Sequence, residues 1–254
     1  MQNKYVGDIG DFGKYLLLKT ICQGFRLGVN WCLTRDENNS DGKFIQYLDE
    51  NSRNNEYKRV DEELYGKLRE IVKCQNRSVS MVKELGILPN ETKFFDEIKT
   101  IPIMEWHKSS LNYLSDSDVI FYDPDNGLQT DSVKIDGKNS IKYVFFEEVK
   151  DAYNRKKSLI IYQHTARKGA IESQMKERCK QLMNTLCIPV ANIFIARFCR
   201  IQSRFYLILP QKEHESSIRE NLINLKNLLA QQRSDMFKIY ECIEKNAELH
   251  LSLI

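Results

Sequence analysis

Apolar and polar residues alternate along the chain in blocks that predict strands separated by helices. Short apolar runs rich in strand-forming residues predict strands at 27–34, 92–98, 118–123, 142–149, 157–165, 192–199 and 204–210, and the run at 142–149 also fits a strand that leads into a helix. Apolar residues recur at helical spacing over 11–25, over 60–86 with room for a break at 75–78, and over 171–186. This alternation predicts an α/β fold with a mostly parallel sheet that helices cover on both faces.

The carboxyl-terminal part of the pattern predicts a reversed strand and then helix. Only a few residues separate the runs at 192–199 and 204–210, so these two strands should form an antiparallel hairpin. Residues 214–250 carry apolar residues at helical spacing: Ile218, Leu222, Leu225, Leu229, Met236, Ile239 and Ile243. We therefore predict a Rossmann-like domain over residues 1–212 and a helical extension over residues 213–254 packed on it.

Composition and charge narrow the class of protein only slightly. The 254 residues are 42% hydrophobic and 29% charged, and the formal net charge is +3, which neither requires nor excludes a nucleic-acid partner. No apolar run approaches the roughly 18–20 residues that a membrane span needs. The first residues contain no apolar signal segment, so we expect a cytoplasmic protein without a membrane partner. The seven cysteines show no metal-ligand spacing, which favours reduced thiols.

The sequence Asp123-Pro124-Asp125-Asn126-Gly127 directly follows a predicted buried strand. In an open α/β sheet, ligands bind beyond the carboxyl ends of the strands. Carboxylates at such an end can accept a hydrogen bond from an amine or hold a metal ion. A simple Asp-Pro turn that ends at a glycine would explain the same residues without a ligand.

Three further polar clusters should open onto the same edge of the sheet. The segment 5–19 leads into a helix whose start should attract anions. The loop 34–43 follows the first strand, where a Rossmann-like fold holds a nucleotide-type cofactor, and residues 162–167 end another strand. The candidate residues are Asp11, Lys14, Asp36, Asp41, Gly42, His164 and Arg167. Helix capping by Asp8 or Asp11 and polar surface loops are the alternative explanations.

Two motifs resemble those of a known enzyme family. GDIGDFGKYLLLKTI resembles the amino-terminal signature of the J-type ribosomal-RNA adenine methyltransferases, and DPDNG stands where that family has Asp-Pro-Pro-Tyr. Asp11, Lys14, Asp123 and Pro124 match the family pattern, whereas Asp125 and Asn126 replace Pro and Tyr. The sequence is also similar to a group of bacterial proteins that share GDIGDFGKY and DPDNGL, a similarity that implies no activity.

The resemblance implies a Rossmann-like methyltransferase fold and two kinds of site residue. S-adenosylmethionine would bind near Asp11 and Lys14 and near the loop that contains Asp36, Asp41 and Gly42. Asp123, Asp125 and Asn126 would act on a target amine of a nucleic-acid base, and His164 and Arg167 would contact the substrate. No metal is required in this mechanism.

Two alternatives remain open at this point. The pattern Pro124-Asp125…Glu148-x-Lys150 resembles that of restriction-type nucleases, in which Asp125 and Glu148 would hold magnesium and Lys150 would activate water. The second alternative is a non-catalytic methyltransferase-like module that binds nucleic acid or another partner. In that case the carboxyl-terminal helical stripe could also form a homo-oligomer surface, although burial against its own sheet is the default.

Overall fold

The computed structural model describes residues 1–39, 41–49, 55–75, 77–166, 168–188, 193–201, 204–245 and 248–254. The helices are Ile9–Ile21 (α1), Glu56–Val60 (α2), Glu62–Lys73 (α3), Val79–Glu84 (α4), Ile103–Tyr113 (α5), Phe146–Asn154 (α6), Ile171–Leu186 (α7) and Glu215–Gln231 (α8). The strands are Leu27–Asn30 (β1), Lys93–Phe95 (β2), Val119–Tyr122 (β3), Gly127–Leu128 (β4), Tyr143–Val144 (β5), Ser158–His164 (β6), Phe194–Phe198 (β7), Arg204–Leu209 (β8), Phe237–Lys245 (β9) and Glu248–Leu253 (β10). Within these ranges, no helix is long and apolar enough to cross a lipid bilayer.

The main sheet has the order β10-β9-β7-β8-β6-β3-β1-β2 in the described part of the chain. Strands β2, β1, β3 and β6 run parallel to one another. Strand β8 runs antiparallel to both of its neighbours, β6 and β7, and β9 and β10 continue the sheet in antiparallel pairs. The predicted α/β class is therefore confirmed, with a Rossmann-like parallel core and a reversed strand inserted next to β6.

Helices cover both faces of this sheet, as the apolar strands require. Residues of α1, α3 and α8 form a hydrophobic cluster on one face, and residues of α5, α6 and α7 form a second cluster on the other. Strand β3 contributes side chains to both clusters: Phe121 belongs to the first, and Ile120 and Tyr122 belong to the second. The segment at 142–149 is divided between the short β5 and the beginning of α6.

The prediction that residues 213–254 form a helical extension is wrong beyond α8. Residues 237–245 and 248–253 form β9 and β10, which extend the main sheet. The spacing of Met236, Ile239 and Ile243 imitates a helical stripe. However, β9 is buried on both faces, with Ile239 in one cluster and Cys242 in the other, and such a strand lacks the polar alternation that identifies strands. The predicted apolar stripe of α8 is buried in the core of this chain: Ile218, Leu222, Leu225 and Leu229.

Candidate functional site

A cavity of about 300 Å³ lies at the carboxyl ends of the parallel strands, beside the start of α1. The amino-terminal segment, the loop after β1, the turn after β3 and the end of β6 all contribute to its wall. The structure thus brings together most of the residues selected from the sequence: Asp11, Lys14, Asp41, Gly42, Asp123, Asp125, Asn126 and His164. Topology explains this convergence, because parallel strands end at one edge of a sheet.

The first turn of α1 fixes two of these side chains. Of the two candidate caps, Asp8 and Asp11, Asp8 is the N-terminal cap, since its carboxylate accepts a hydrogen bond of 2.8 Å from the amide of Gly10. Asp11 lies inside the helix, where it accepts hydrogen bonds from the Tyr15 hydroxyl at 3.1 Å and the Gly7 amide at 3.2 Å. These contacts hold the Asp11 carboxylate one helical turn before Lys14.

Lys14 is buried between two carboxylates. Its Nζ lies 2.6 Å from Asp11 Oδ1 and 2.7 Å from Asp123 Oδ2, and all three side chains are at most 4% exposed. Burial alone would lower the pKa of Lys14, but the two carboxylates outweigh this effect and raise it, so Lys14 is an ammonium at neutral pH. Burial raises the pKa of Asp123, and Lys14 opposes this rise. The three groups therefore form one buried ionic unit, which we call the lysine triad.

Asp125 holds the amino-terminal segment against the loop after β1. Its Oδ1 lies 2.8 Å from the α-amino group of Met1, and its Oδ2 accepts hydrogen bonds from Gln2 at 3.1 Å and Thr34 at 2.9 Å. Burial alone would raise the pKa of Asp125, but the Met1 α-amino group and these hydrogen bonds lower it. Both oxygens of Asp125 therefore have partners, and the geometry indicates a positioning role for this carboxylate.

The turn after β3 is shaped by contacts with the end of β6. Gly127 has a φ of +109°, and a Cβ at this position would lie 2.5 Å from the side chain of Gln163, so this glycine is required for both conformation and space. The Gln163 side chain accepts a hydrogen bond from the Leu128 amide at 2.9 Å. The carbonyl of Asn126 accepts a hydrogen bond from the His164 amide, while the half-buried Asn126 side chain lines the cavity.

The remaining predicted residues lie at different positions relative to the cavity. Asp41 and Gly42 line the cavity, whereas Asp36 is exposed and does not line it; its carboxylate lies 3.4 Å from the amide of Lys4. His164 is exposed at the rim, with its Nδ1 3.3 Å from the hydroxyl of Tyr162. Arg167 lies outside the described residues.

The site residues predicted from the sequence do not include five residues that line the cavity: Met1, Tyr5, Asp8, Tyr162 and Arg204. Arg204 is the first residue of β8 and lies opposite His164 in the register between β6 and β8. Because β8 is reversed, its first residue reaches the edge at which the parallel strands end. The short hairpin before β8 was the signal that could have identified Arg204.

The charges in the cavity favour a cationic ligand. The carboxylates that line it are Asp8, Asp11, Asp41, Asp123 and Asp125, and the cationic groups are the Met1 α-amino group, Lys14 and Arg204. If every group is ionised, two negative charges remain in excess. A ligand with a net positive charge would reduce this excess.

The residues of the nuclease alternative are not assembled around Asp125. Glu148 and Lys150 lie on α6, not on a strand, and neither lines the cavity. Glu148 is fully buried and forms an ion pair with Lys99 at 2.8 Å, while Lys150 is exposed. Among the described residues, no group of three or more His, Cys, Asp or Glu side chains is arranged to hold a metal ion.

No protein-family model matches the chain. A search of curated proteins also found no match.

Proposed function

We propose that this chain is an S-adenosylmethionine-dependent methyltransferase that acts on an amine of a nucleic-acid base. The observation that carries the proposal is an acidic cavity at the carboxyl ends of β1 and β3, in a sheet where the reversed strand β8 lies between β6 and β7. The Rossmann-like methyltransferase sheet that the sequence resembles also contains a reversed strand. Open α/β sheets bind their ligands at this edge, which supports the same location for the cofactor.

The residues around the cavity fit this cofactor. S-adenosylmethionine has a sulfonium, an α-ammonium and one carboxylate, and therefore a net charge of +1, which suits the excess of carboxylates in the wall. Asp41 and Gly42, in the loop after β1, are suited to the ribose, because a carboxylate can accept hydrogen bonds from hydroxyl groups. The cofactor would supply an electrophilic methyl group.

The chain itself would position the amine and receive its proton. In this proposal the Asn126 carboxamide oxygen accepts a hydrogen bond from the target N–H, which fixes the direction of the nitrogen lone pair. Asp123, whose pKa is raised by burial, takes the proton that the nitrogen loses after the new N–C bond forms. Lys14 holds Asp123 in place, and Asp125 holds the amino-terminal wall of the cavity.

A non-catalytic binding module is the second candidate, and one observation favours it. The loop after β1 has no glycine-rich turn, and Cys32 adopts a positive φ of 43° at a position where glycine would be unstrained. The main-chain amide of Cys32 donates a hydrogen bond of 3.0 Å to the side-chain oxygen of Asn30, so this strained turn is stabilised within the chain itself. A cavity of this kind could bind the cofactor, or a related nucleoside, without turnover.

Methyl transfer to nucleic acid tests the proposal directly. The wild-type protein would be incubated with methyl-labelled S-adenosylmethionine and with RNA, single-stranded DNA or duplex DNA, and the products would be digested to nucleosides. We expect label on a base amine, and we expect Asp123→Asn to reduce the rate by at least about a hundredfold.

Asp118→Asn is the matched control, because Asp118 lies at the opposite end of the same strand in a surface pair with Arg26. This control should transfer methyl groups at the wild-type rate, and circular dichroism would verify that both variants are folded. Binding of the cofactor without label on any nucleic acid would contradict the proposed transfer and favour the binding module.

A further inference from the structure

Arg204 lies in the wall of the cavity, against the first turn of α1. It is 7% exposed, and a Cβ built on Gly10 would lie only 1.7 Å from Arg204 Nη1. The absence of a side chain at Gly10 therefore lets the guanidinium approach the first turn of the helix. Any larger residue at position 10 would displace Arg204 from its present position.

Two further contacts orient the guanidinium. Its Cζ lies 5.8 Å from the centre of the Tyr162 ring, within the range of a cation–π contact. Its Nη2 lies 3.8 Å from Asp8 Oδ1, which is beyond hydrogen-bonding distance for that pair. Asp8 in turn is fixed by its role as the cap of α1. The planar group therefore has a defined orientation at the edge of the cavity.

The three cationic groups of the cavity differ in what they can offer a ligand. Lys14 is enclosed by two carboxylates within 2.7 Å, and the Met1 α-amino group lies 2.8 Å from Asp125. The Lys14 ammonium and the Met1 α-amino group are compact point charges that stabilise the internal structure of the site. A guanidinium has five N–H donors in a planar fork that matches a carboxylate in two parallel hydrogen bonds.

We infer that Arg204 recognises the carboxylate of the amino-acid part of S-adenosylmethionine. This inference rests on the proposed function, because it assigns one group of the cofactor to one residue of the same cavity. The acidic residues would then face the ammonium and sulfonium charges, and the single carboxylate would be directed to Arg204. Arg204 would thus distinguish the intact cofactor from adenosine derivatives that lack the amino-acid chain.

Two ligands that differ in this carboxylate test the inference. S-adenosylhomocysteine contains it, and 5′-methylthioadenosine lacks the whole amino-acid end. Calorimetric titration would measure the affinity of both ligands for the wild-type protein, Arg204→Met and Arg204→Lys. Arg219→Met is the control, because Arg219 pairs with Glu241 at 2.6 Å and does not line the cavity.

We expect Arg204→Met to weaken the binding of S-adenosylhomocysteine by about 10- to 100-fold, which is the scale of a charge-assisted hydrogen-bonded pair. The affinity for 5′-methylthioadenosine should change less than about twofold, and Arg219→Met should change neither affinity. Arg204→Lys keeps the positive charge but lacks the planar guanidinium. Its loss of affinity for S-adenosylhomocysteine should therefore lie between that of the wild type and that of Arg204→Met. This variant also provides the test if Arg204→Met does not fold.

The other outcomes separate the two proposals. Suppose that the wild-type protein binds S-adenosylhomocysteine, and that Arg204→Met or Arg204→Lys weakens the binding of both ligands equally. Arg204 then does not recognise the carboxylate, and the inference is wrong. Wild-type affinity in both variants would overturn it as well. If the wild-type protein binds neither ligand, the proposed cofactor is wrong and the inference fails with it.

Discussion

Substitution of Lys14 by methionine should destabilise the protein strongly, because it leaves two carboxylates buried without their cation. At an effective dielectric constant of about 20, unit charges separated by 2.7 Å, the Lys14–Asp123 distance, attract each other by about 6 kcal/mol. Desolvation of each buried ion offsets several kcal/mol of this attraction. Measured losses on breaking such a pair are about 3–5 kcal/mol, and we expect the same loss in the free energy of unfolding for Lys14→Met at pH 7.

Lys19 provides a matched control on the same helix. Its Nζ also lies 2.7 Å from a carboxylate, that of Asp61, but its side chain is 27% exposed. Because water screens such a pair, Lys19→Met should cost no more than about 1 kcal/mol. The two variants therefore compare the same residue type at the same distance with different burial.

The loss in the free energy of unfolding caused by Lys14→Met should also depend on pH, and the lysine triad determines whether this loss grows or shrinks as pH falls. Lys14 opposes the rise that burial causes in the pKa of Asp123, so its removal should raise this pKa further. A carboxyl group whose pKa is raised in the folded state stabilises the fold below its unfolded value, and this stability is lost as pH rises through the folded pKa. The difference between wild type and Lys14→Met should therefore shrink as pH falls from 7 towards 4.

Urea unfolding followed by circular dichroism at pH 7 and pH 4.5 would measure these free energies for the wild type and both variants. The reasoning about the lysine triad is refuted if Lys14→Met costs no more than Lys19→Met at pH 7. A cost that stays constant or grows at pH 4.5 would also contradict it.

Two further substitutions test the packing of the cavity and the nuclease alternative. Gly10→Ala should displace Arg204 and weaken the binding of S-adenosylhomocysteine at least about tenfold in calorimetry, and wild-type binding by this variant would contradict the packing argument. Gly66→Ala, in α3 with open space around it, should stabilise the fold by about 0.5–1 kcal/mol. Lys150→Ala should change the free energy of unfolding by no more than about 0.5 kcal/mol and should leave methyl transfer unchanged, because Lys150 is exposed on α6. Magnesium-dependent cleavage of nucleic acid that this variant loses would restore the nuclease alternative.

The order of strands and helices could be predicted where apolar runs were bounded by polar residues. The run before Asp123 is such a case, because β3 is fully buried and the next residues form the cavity wall. Helix α5 was not predicted. Two of its buried positions are His107 and Ser110, so the face that it turns towards the core has a weak hydrophobic pattern.

The chemistry of the site was less predictable than its location. The sequence indicated that Lys14 and Asp123 would approach one edge of the sheet, but nothing local could show that they form a buried pair across 109 positions. From the sequence alone, an isosteric substitution at Asp123 would be expected to leave folding unchanged. The structure shows that such a substitution would disturb the lysine triad. The partners of Asp125 likewise come from distant segments, the amino terminus and the loop after β1.

Calorimetric titration of the wild-type protein with S-adenosylhomocysteine is the most direct test of the central claim that this acidic cavity binds the methyltransferase cofactor. We predict saturable binding of one ligand per chain, together with an increase in melting temperature that grows with ligand concentration. If millimolar ligand produces neither heat nor a thermal shift in a folded preparation, the cavity does not bind this cofactor and the methyltransferase proposal is wrong.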